Sequence, residues 1–135
     1  MSVIDRVMQT WRYLAVARGD ERHAERTAAI LRSLGADEEL VLAGTLHDRA
    51  KPSDTRLWHR VAGVLLETFA PPLRRRFAKG DGTFARYLDH AQRSADLARA
   101  EGRSDRVVRL IARHHEQPRD DDERRLARAD REALP

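Results

Sequence analysis

Five of the six histidines in this chain fall into a spacing that occurs twice. His23 is followed twelve residues later by Gly35, and Gly35 twelve residues later by His47; His90, Gly102 and His114 reproduce both intervals. Each second histidine is followed at once by another possible ligand, Asp48 in the first copy and His115 in the second. Laid over residues 90–119 without a gap, residues 23–52 are identical at eight of thirty positions, both histidine pairs and the glycines among them. A lone histidine at helical spacing is most simply a half-buried imidazole satisfied by its neighbours. Four at matched positions, two with an adjoining Asp or His, exceed what packing requires. Imidazole with carboxylate is the donor set of zinc, iron, manganese or nickel rather than calcium. The chain has no cysteine, which removes thiolate metal sites, disulfide scaffolds and a cysteine nucleophile together.

The elements that must position these groups are helices. Ala and Leu number 35 against 17 for Val, Ile and Thr, a balance that favours helix over strand. A helix over 3–17 carries Val3, Val7, Met8, Trp11 and Leu14 on one side. A second runs from about Asp20, a candidate N-cap, to Leu34, with Gly35 closing it in the left-handed conformation. A third starts at Asp37 and has Leu40, Ala43, Gly44 and His47 on its inner side, with Pro52 preventing its extension. Residues 55–69 form a helix that Pro71 and Pro72 terminate, followed by a basic, mobile-looking loop from Arg74 to Gly82. One long helix is expected over 83–101, another from Ser104 to His114, and a last one from Asp120 to about Ala133. The expected fold is therefore all-α: one domain over 1–135, a compact bundle of about seven helices containing a duplicated helical hairpin. A hairpin that runs out and back around a glycine turn brings its two histidines to the same end. His59, on an Arg-flanked stretch outside the repeat, reads as a surface residue.

Charge and length narrow the function classes. Of 26 basic residues 24 are arginine, against 22 acidic ones, for a net charge of +4. Arginine's planar fork suits phosphate or carboxylate, so a small phosphorylated partner is compatible, although solvated helix faces account for most of these charges. Nucleic acid is not an expected partner, since the cations are scattered and aromatic residues make up only 5% of the chain. The longest apolar run, Val61 to Leu66, is too short to span a bilayer, and Asp5 and Arg6 stand where a signal peptide would be apolar. A cytoplasmic protein with no membrane partner is the expectation. Trp11, Trp58 and Phe69 are candidates for core or homo-oligomer contacts.

The order His23, His47-Asp48, His90, His114, Asp130 resembles the signature of the HD superfamily of metal-dependent phosphohydrolases, over nearly the whole chain. Leu46-His47-Asp48-Arg49-Ala50-Lys51 looks like its apolar-His-Asp-x-x-Lys motif, with Arg49-Ala50 replacing the usual apolar-Gly pair. His114-His115-Glu116 resembles the His-His-Glu of the HD-GYP branch, but no Gly-Tyr-Pro follows, so cyclic-dinucleotide specificity is not implied. The resemblance implies one or two divalent transition metal ions. His23, His47, Asp48 and Asp130 would hold the first; His90, His114, with His115 as a possible ligand, and a bridging oxygen of Asp48 would hold the second. Asp130 owes its place to the resemblance, its alternative being an exposed helix aspartate paired with Arg124 or Arg131.

The chemistry implied is hydrolysis of a phosphate ester or anhydride, on a nucleotide or similar small phosphate, with water activated at the metal centre. Asp48 and Lys51 would be the catalytic groups; Lys51 and Arg113 would contact substrate phosphate, with the Arg74–Lys79 loop as an outer contact. Lys51 is equally explained as a cation favouring the C-terminal end of a helix. Asp120, Asp121 and Asp122 read as N-terminal helix charges, and Asp89 as an orienter of His90 or a solvated residue. A non-catalytic signalling or nucleotide-binding module is the competing reading, favoured by the unusual Arg49-Ala50.

Overall fold

The computed structural model describes residues 2–6, 22–52, 55 and 57–133. Beyond a short helical stretch at residues 3–6, eight helices are described: α1 His23–Ser33, α2 Glu38–Leu46, α3 Leu57–Phe69, α4 Pro71–Phe77, α5 Thr83–Leu88, α6 His90–Ala100, α7 Asp105–Ala112 and α8 Asp121–Glu132. The described residues contain no strand.

The duplication is real at the level of hydrogen bonds. Gly35 (φ 73°) and Gly102 (φ 77°) both take the left-handed conformation that a Cβ would strain. Around them the amides of Gly35 and Ala36 donate to Arg32 and Leu31, and those of Gly102 and Arg103 to Arg99 and Ala98. Both turns are therefore the same Schellman closure. The following helix is capped at the same position in each copy: the Asp37 carboxylate accepts from the Leu40 amide and the Ser104 hydroxyl from the Val107 amide.

The α1–α2 hairpin and the α6–α7 hairpin meet through α2 and α7, and α8 lies across α1, α2 and α7. Their shared core is rich in alanine, with Ala28, Ala43, Ala95, Ala98 and Ala129 at most 3% exposed, so the helices approach closely. Leu31, Leu40, Leu110, Ile111 and Leu126 fill it, each contributing roughly 1.5–3 kcal/mol of burial. Gly44 permits the tightest approach: a Cβ there would stand 2.4 Å from Leu31 Cδ1 and 3.3 Å from Thr27 Cγ2. Helices α3, α4 and α5 pack on one another and join the hairpins through α5 and α6.

Several sequence expectations need correction. The first hairpin helix begins at His23 with Arg22 in the cap position, and Asp20, like most of the expected helix over 3–17 with Trp11, lies outside the described residues. The helix before Pro71 and Pro72 does end at Phe69, but the prolines also open α4 at its first two positions, where a missing amide costs nothing, so the expected basic loop is helical through Phe77. The long helix over 83–101 is two helices divided at Asp89 (φ −108°, ψ 15°). These two changes raise the count above the seven expected. Trp58 and Phe69 are not core residues, being 54% and 77% exposed. His59 is not a surface residue: it is 4% exposed, with its ring 3.8 Å from Trp58 and 5.9 Å from Phe84. No described helix is long and apolar enough to cross a membrane.

Candidate metal centre

The hairpin turns place their histidines at one end of the bundle. His23 and His90 begin α1 and α6, while His47 and His114 follow the last residues of α2 and α7. His47, His90 and His114 each donate Nδ1–H to the carbonyl three residues earlier, Gly44, Tyr87 and Ile111 respectively, all at 2.6 Å. That bond fixes the ring and turns Nε2 inward. The imidazoles form a continuous file, His23 to His47 at 5.4 Å between ring centroids, His47 to His114 at 4.9 Å and His114 to His90 at 5.5 Å. His115 stands 4.8 Å from His90, with their Nε2 atoms 2.9 Å apart.

The ligand atoms sort into two groups of four, each within 4.8 Å of one another: His23, His47, Asp48 and Asp130, and Asp48, His90, His114 and His115. Asp48 belongs to both. Its Oδ2 lies 3.6 Å from His47 Nε2 and 4.0 Å from His23 Nε2, and its Oδ1 3.1 Å from His90 Nε2 and 3.4 Å from His114 Nε2. Asp130, from α8, accepts from His23 Nε2 at 2.6 Å and His47 Nε2 at 3.0 Å. All seven residues singled out as ligands are thus brought together.

The electrostatics of the donors indicate what they are built for. Burial alone would push His47 down, but Asp48 and Asp130 outweigh it and raise its pKa to about 9. With both ring nitrogens donating, His47 carries on Nε2 a proton that an ion held by Asp48 and Asp130 would displace. Burial works to raise Asp48 and Asp130 as well, yet His47 holds both well below the usual carboxylate range, helped by Lys51 at Asp48 and His23 at Asp130. His114 goes the other way, pushed down by burial, and because its Nδ1–H is given to the Ile111 carbonyl the neutral ring presents its lone pair at Nε2. Neither that nitrogen nor Asp48 Oδ1, both shut from solvent, has a hydrogen-bond partner. Two electron-rich atoms 3.4 Å apart with no proton between them are costly in a protein interior, and a cation resolves the cost. The residues fit one or two divalent metal ions of the kind that imidazole and carboxylate prefer.

These groups line a cavity of about 730 Å³. Its other walls come from α3 (Arg60, Gly63, Val64, Glu67), α4 (Arg74), α5 (Tyr87, Leu88), the residues after His115 and α8 (Ala127, Arg131). Lys51 lines it as well, with Nζ 3.7 Å from Asp48 Oδ2. Burial pushes the Tyr87 phenol up against the pull of Arg60 and Arg74. Arg6 reaches the cavity and pairs with Glu67.

Arg113, expected at the substrate phosphate, is not among the cavity residues. It bonds Glu123 Oε1 at 3.0 Å and the Gln117 carbonyl at 3.1 Å and pairs with Glu116, because α8 presents the buried Glu123 to the end of α7. Asp89 bonds Arg93 at 3.3 Å, and the Tyr87 carbonyl takes the role of orienting His90. Asp120 caps α8 through the Glu123 amide, as its helix-start position suggests. Arg49 pairs with Glu101 at the surface, and the Ala50 amide donates to Ser94 Oγ at 3.0 Å, so the departure from the motif does not enter the cavity. Sequence reasoning missed Arg60 and Tyr87. The signal for Tyr87 was its place three residues before His90, the offset at which both other oriented histidines find their carbonyls.

No curated protein and no solved structure gave a significant match to the chain. The family model described as HD domain matches residues 21–134, a span that takes in every donor named above, and the chain belongs to this family, whose members are in general metal-dependent phosphohydrolases.

Proposed function

We propose that this chain is a metal-dependent phosphohydrolase that cleaves a phosphate ester or anhydride of a nucleotide or a similar small phosphate. The observation that carries the reading is the sharing of Asp48 between two four-donor groups at the wall of an arginine-lined cavity. His23, His47, Asp48 and Asp130 would hold one ion, and Asp48, His90, His114 and His115 a second; iron, manganese, nickel or zinc suits the donors. A divalent ion held there supplies Lewis-acid polarisation of a phosphoryl oxygen and makes water nucleophilic near neutral pH.

The remaining roles fall to the chain's own groups. The carbonyls of Gly44, Tyr87 and Ile111 fix three imidazoles with Nε2 turned toward the centre. Lys51, ion-paired with Asp48, orients that carboxylate and presents a positive charge to the phosphoryl oxygens on which negative charge develops. Tyr87 and Leu88 give the cavity a partly apolar wall that excludes water from one side of the substrate.

The test is phosphate release from a nucleotide panel by protein stripped with a chelator and reloaded separately with manganese, iron, nickel and zinc. Release restored by at least one ion and lost in Asp48→Ala is the expected result. Tight nucleotide binding without turnover under any of the four would replace the enzyme by a binding module.

A further inference from the structure

Among the arginines at the cavity, Arg74 is distinguished by a buried donor that has no acceptor among the described residues. Helix α4 begins at Pro71 and carries three consecutive arginines; Arg75 and Arg76 are exposed, whereas Arg74 is half-buried and faces the cavity. Its Nη2 donates to the Leu88 carbonyl at 2.9 Å, which anchors the guanidinium at the end of α5. Its Nε is shut from solvent with no acceptor, and among the described residues no carboxylate pairs with it. Several other part-buried guanidiniums have acids: Arg113 has Glu123 and Glu116, Arg106 has Asp122 and Asp37, and Arg6 has Glu67, while Arg131 at the cavity is exposed.

A partly desolvated cation without a counter-charge is costly to keep. The imbalance has the opposite sign to that of Asp48 Oδ1 and His114 Nε2 in the same cavity, and what would settle it is an anion. Lys51 is the cation placed at Asp48, while Arg74 makes no hydrogen bond or ion pair with a donor residue and is held by the Leu88 carbonyl on the α4–α5 wall instead, which points to an anionic group other than the phosphoryl group at the donors.

We infer that Arg74 binds a second anionic group of the substrate, a phosphate beyond the one that is cleaved, and that the preferred substrate is therefore a di- or oligophosphate rather than a monophosphate. This rests on the phosphohydrolase reading for its kinetic arm only. The guanidinium fork, pre-set by Leu88, offers Nη1 and its edge to phosphate oxygens in a geometry that an ammonium does not reproduce.

The experiment compares the full chain with Arg74→Lys and Arg74→Met on adenosine mono-, di- and triphosphate, and measures inorganic diphosphate binding to the metal-loaded protein by calorimetry. Loss of a charge-assisted hydrogen bond predicts that Arg74→Met raises KM for the di- and triphosphate about tenfold more than for the monophosphate, and weakens diphosphate binding about tenfold. Arg74→Lys, which keeps the charge and guards against misfolding of the Met variant, is expected to recover less than half of the binding loss. Equal losses on all three nucleotides, or diphosphate binding unchanged in both variants, would overturn the inference. If no nucleotide is hydrolysed, the phosphohydrolase reading fails alone, and the diphosphate affinities still decide the role of Arg74.

Discussion

The two hairpins share their turn, their helix cap and their pair of inward histidines, and they differ at the residue after the second histidine. In α1–α2 that residue is Asp48, whose two oxygens reach imidazoles of both hairpins. In α6–α7 it is His115, whose ring contacts are with His90 and His114 of its own copy and which reaches the other hairpin at Asp48 alone. The third element, α8, is also unequal: it gives Asp130 to the first hairpin as a ligand-type carboxylate, and gives Glu123 to the second as a buried ion-pair partner for Arg109 and Arg113. Duplicated local structure supplies matched imidazoles, then, and the carboxylates that break the symmetry decide which copy forms the bridge.

The most severe way to break the comparison is Asp48→Ala, which removes a donor from both groups. We expect kcat/KM to fall at least about 10²–10³-fold and elemental analysis to show metal lost from both positions, since the charge stabilisation of both is removed. Retention of a full metal complement would mean that Asp48 bridges nothing.

Single-group variants sharpen it. Asp130→Ala should lower affinity for one ion by about 10–100-fold or more and leave the other position filled, while His115→Ala, at the exposed edge of the second group, should cost less. Metal-to-chain ratios in paired titrations check this, and equal effects would contradict the inequality of the two copies.

Glu123→Gln tests the structural role of α8 in the second hairpin. Burial raises Glu123, but Arg113 and the Arg119 amide outweigh it, so its folded pKa lies below 4.5. Its stabilisation is present above the unfolded value and is lost as pH falls through the folded one. Removing its charge should cost about 1–3 kcal/mol in urea unfolding at pH 7, and the gap from the parent should narrow as the solution is acidified below pH 4.5. A cost independent of pH would remove the carboxylate from the account.

The smallest effect tests equivalence rather than difference. Gly35→Ala and Gly102→Ala each force a Cβ into left-handed backbone and should destabilise by about 1–2 kcal/mol, alike within error. Unequal melting temperatures would show that one hairpin bears more of the fold's cooperativity.

Much of the centre was legible before any coordinates. The twelve-residue intervals around Gly35 and Gly102 locate both hairpins, and the donor types follow from His23, His47, Asp48, His90 and His114 themselves. What escaped was governed by contacts between distant segments. Arg113 and Arg74 are indistinguishable as local sequence, each an arginine near a helix end. Only the arrival of Glu123 on α8 consumes the first, while the second is held by the Leu88 carbonyl and paired with no acid among the described residues. His59 misled for the same reason, since its neighbours Trp58 and Arg60 say nothing of Phe84 and Tyr87 packing beside it.

The chain alone determined helix, turn and cap, because these depend on side chains within a few residues of one another: a glycine at positive φ, an Asp or Ser accepting from an amide three residues on, an alanine-rich face repeating every turn. The packing of α2 on α7 and of α8 across both decided which carboxylate serves two groups of imidazoles, which arginine is spent and which is left without an anion. Those outcomes turn on distances of 3–4 Å between residues more than forty positions apart in most cases, and periodicity along a single helix carries no information about them.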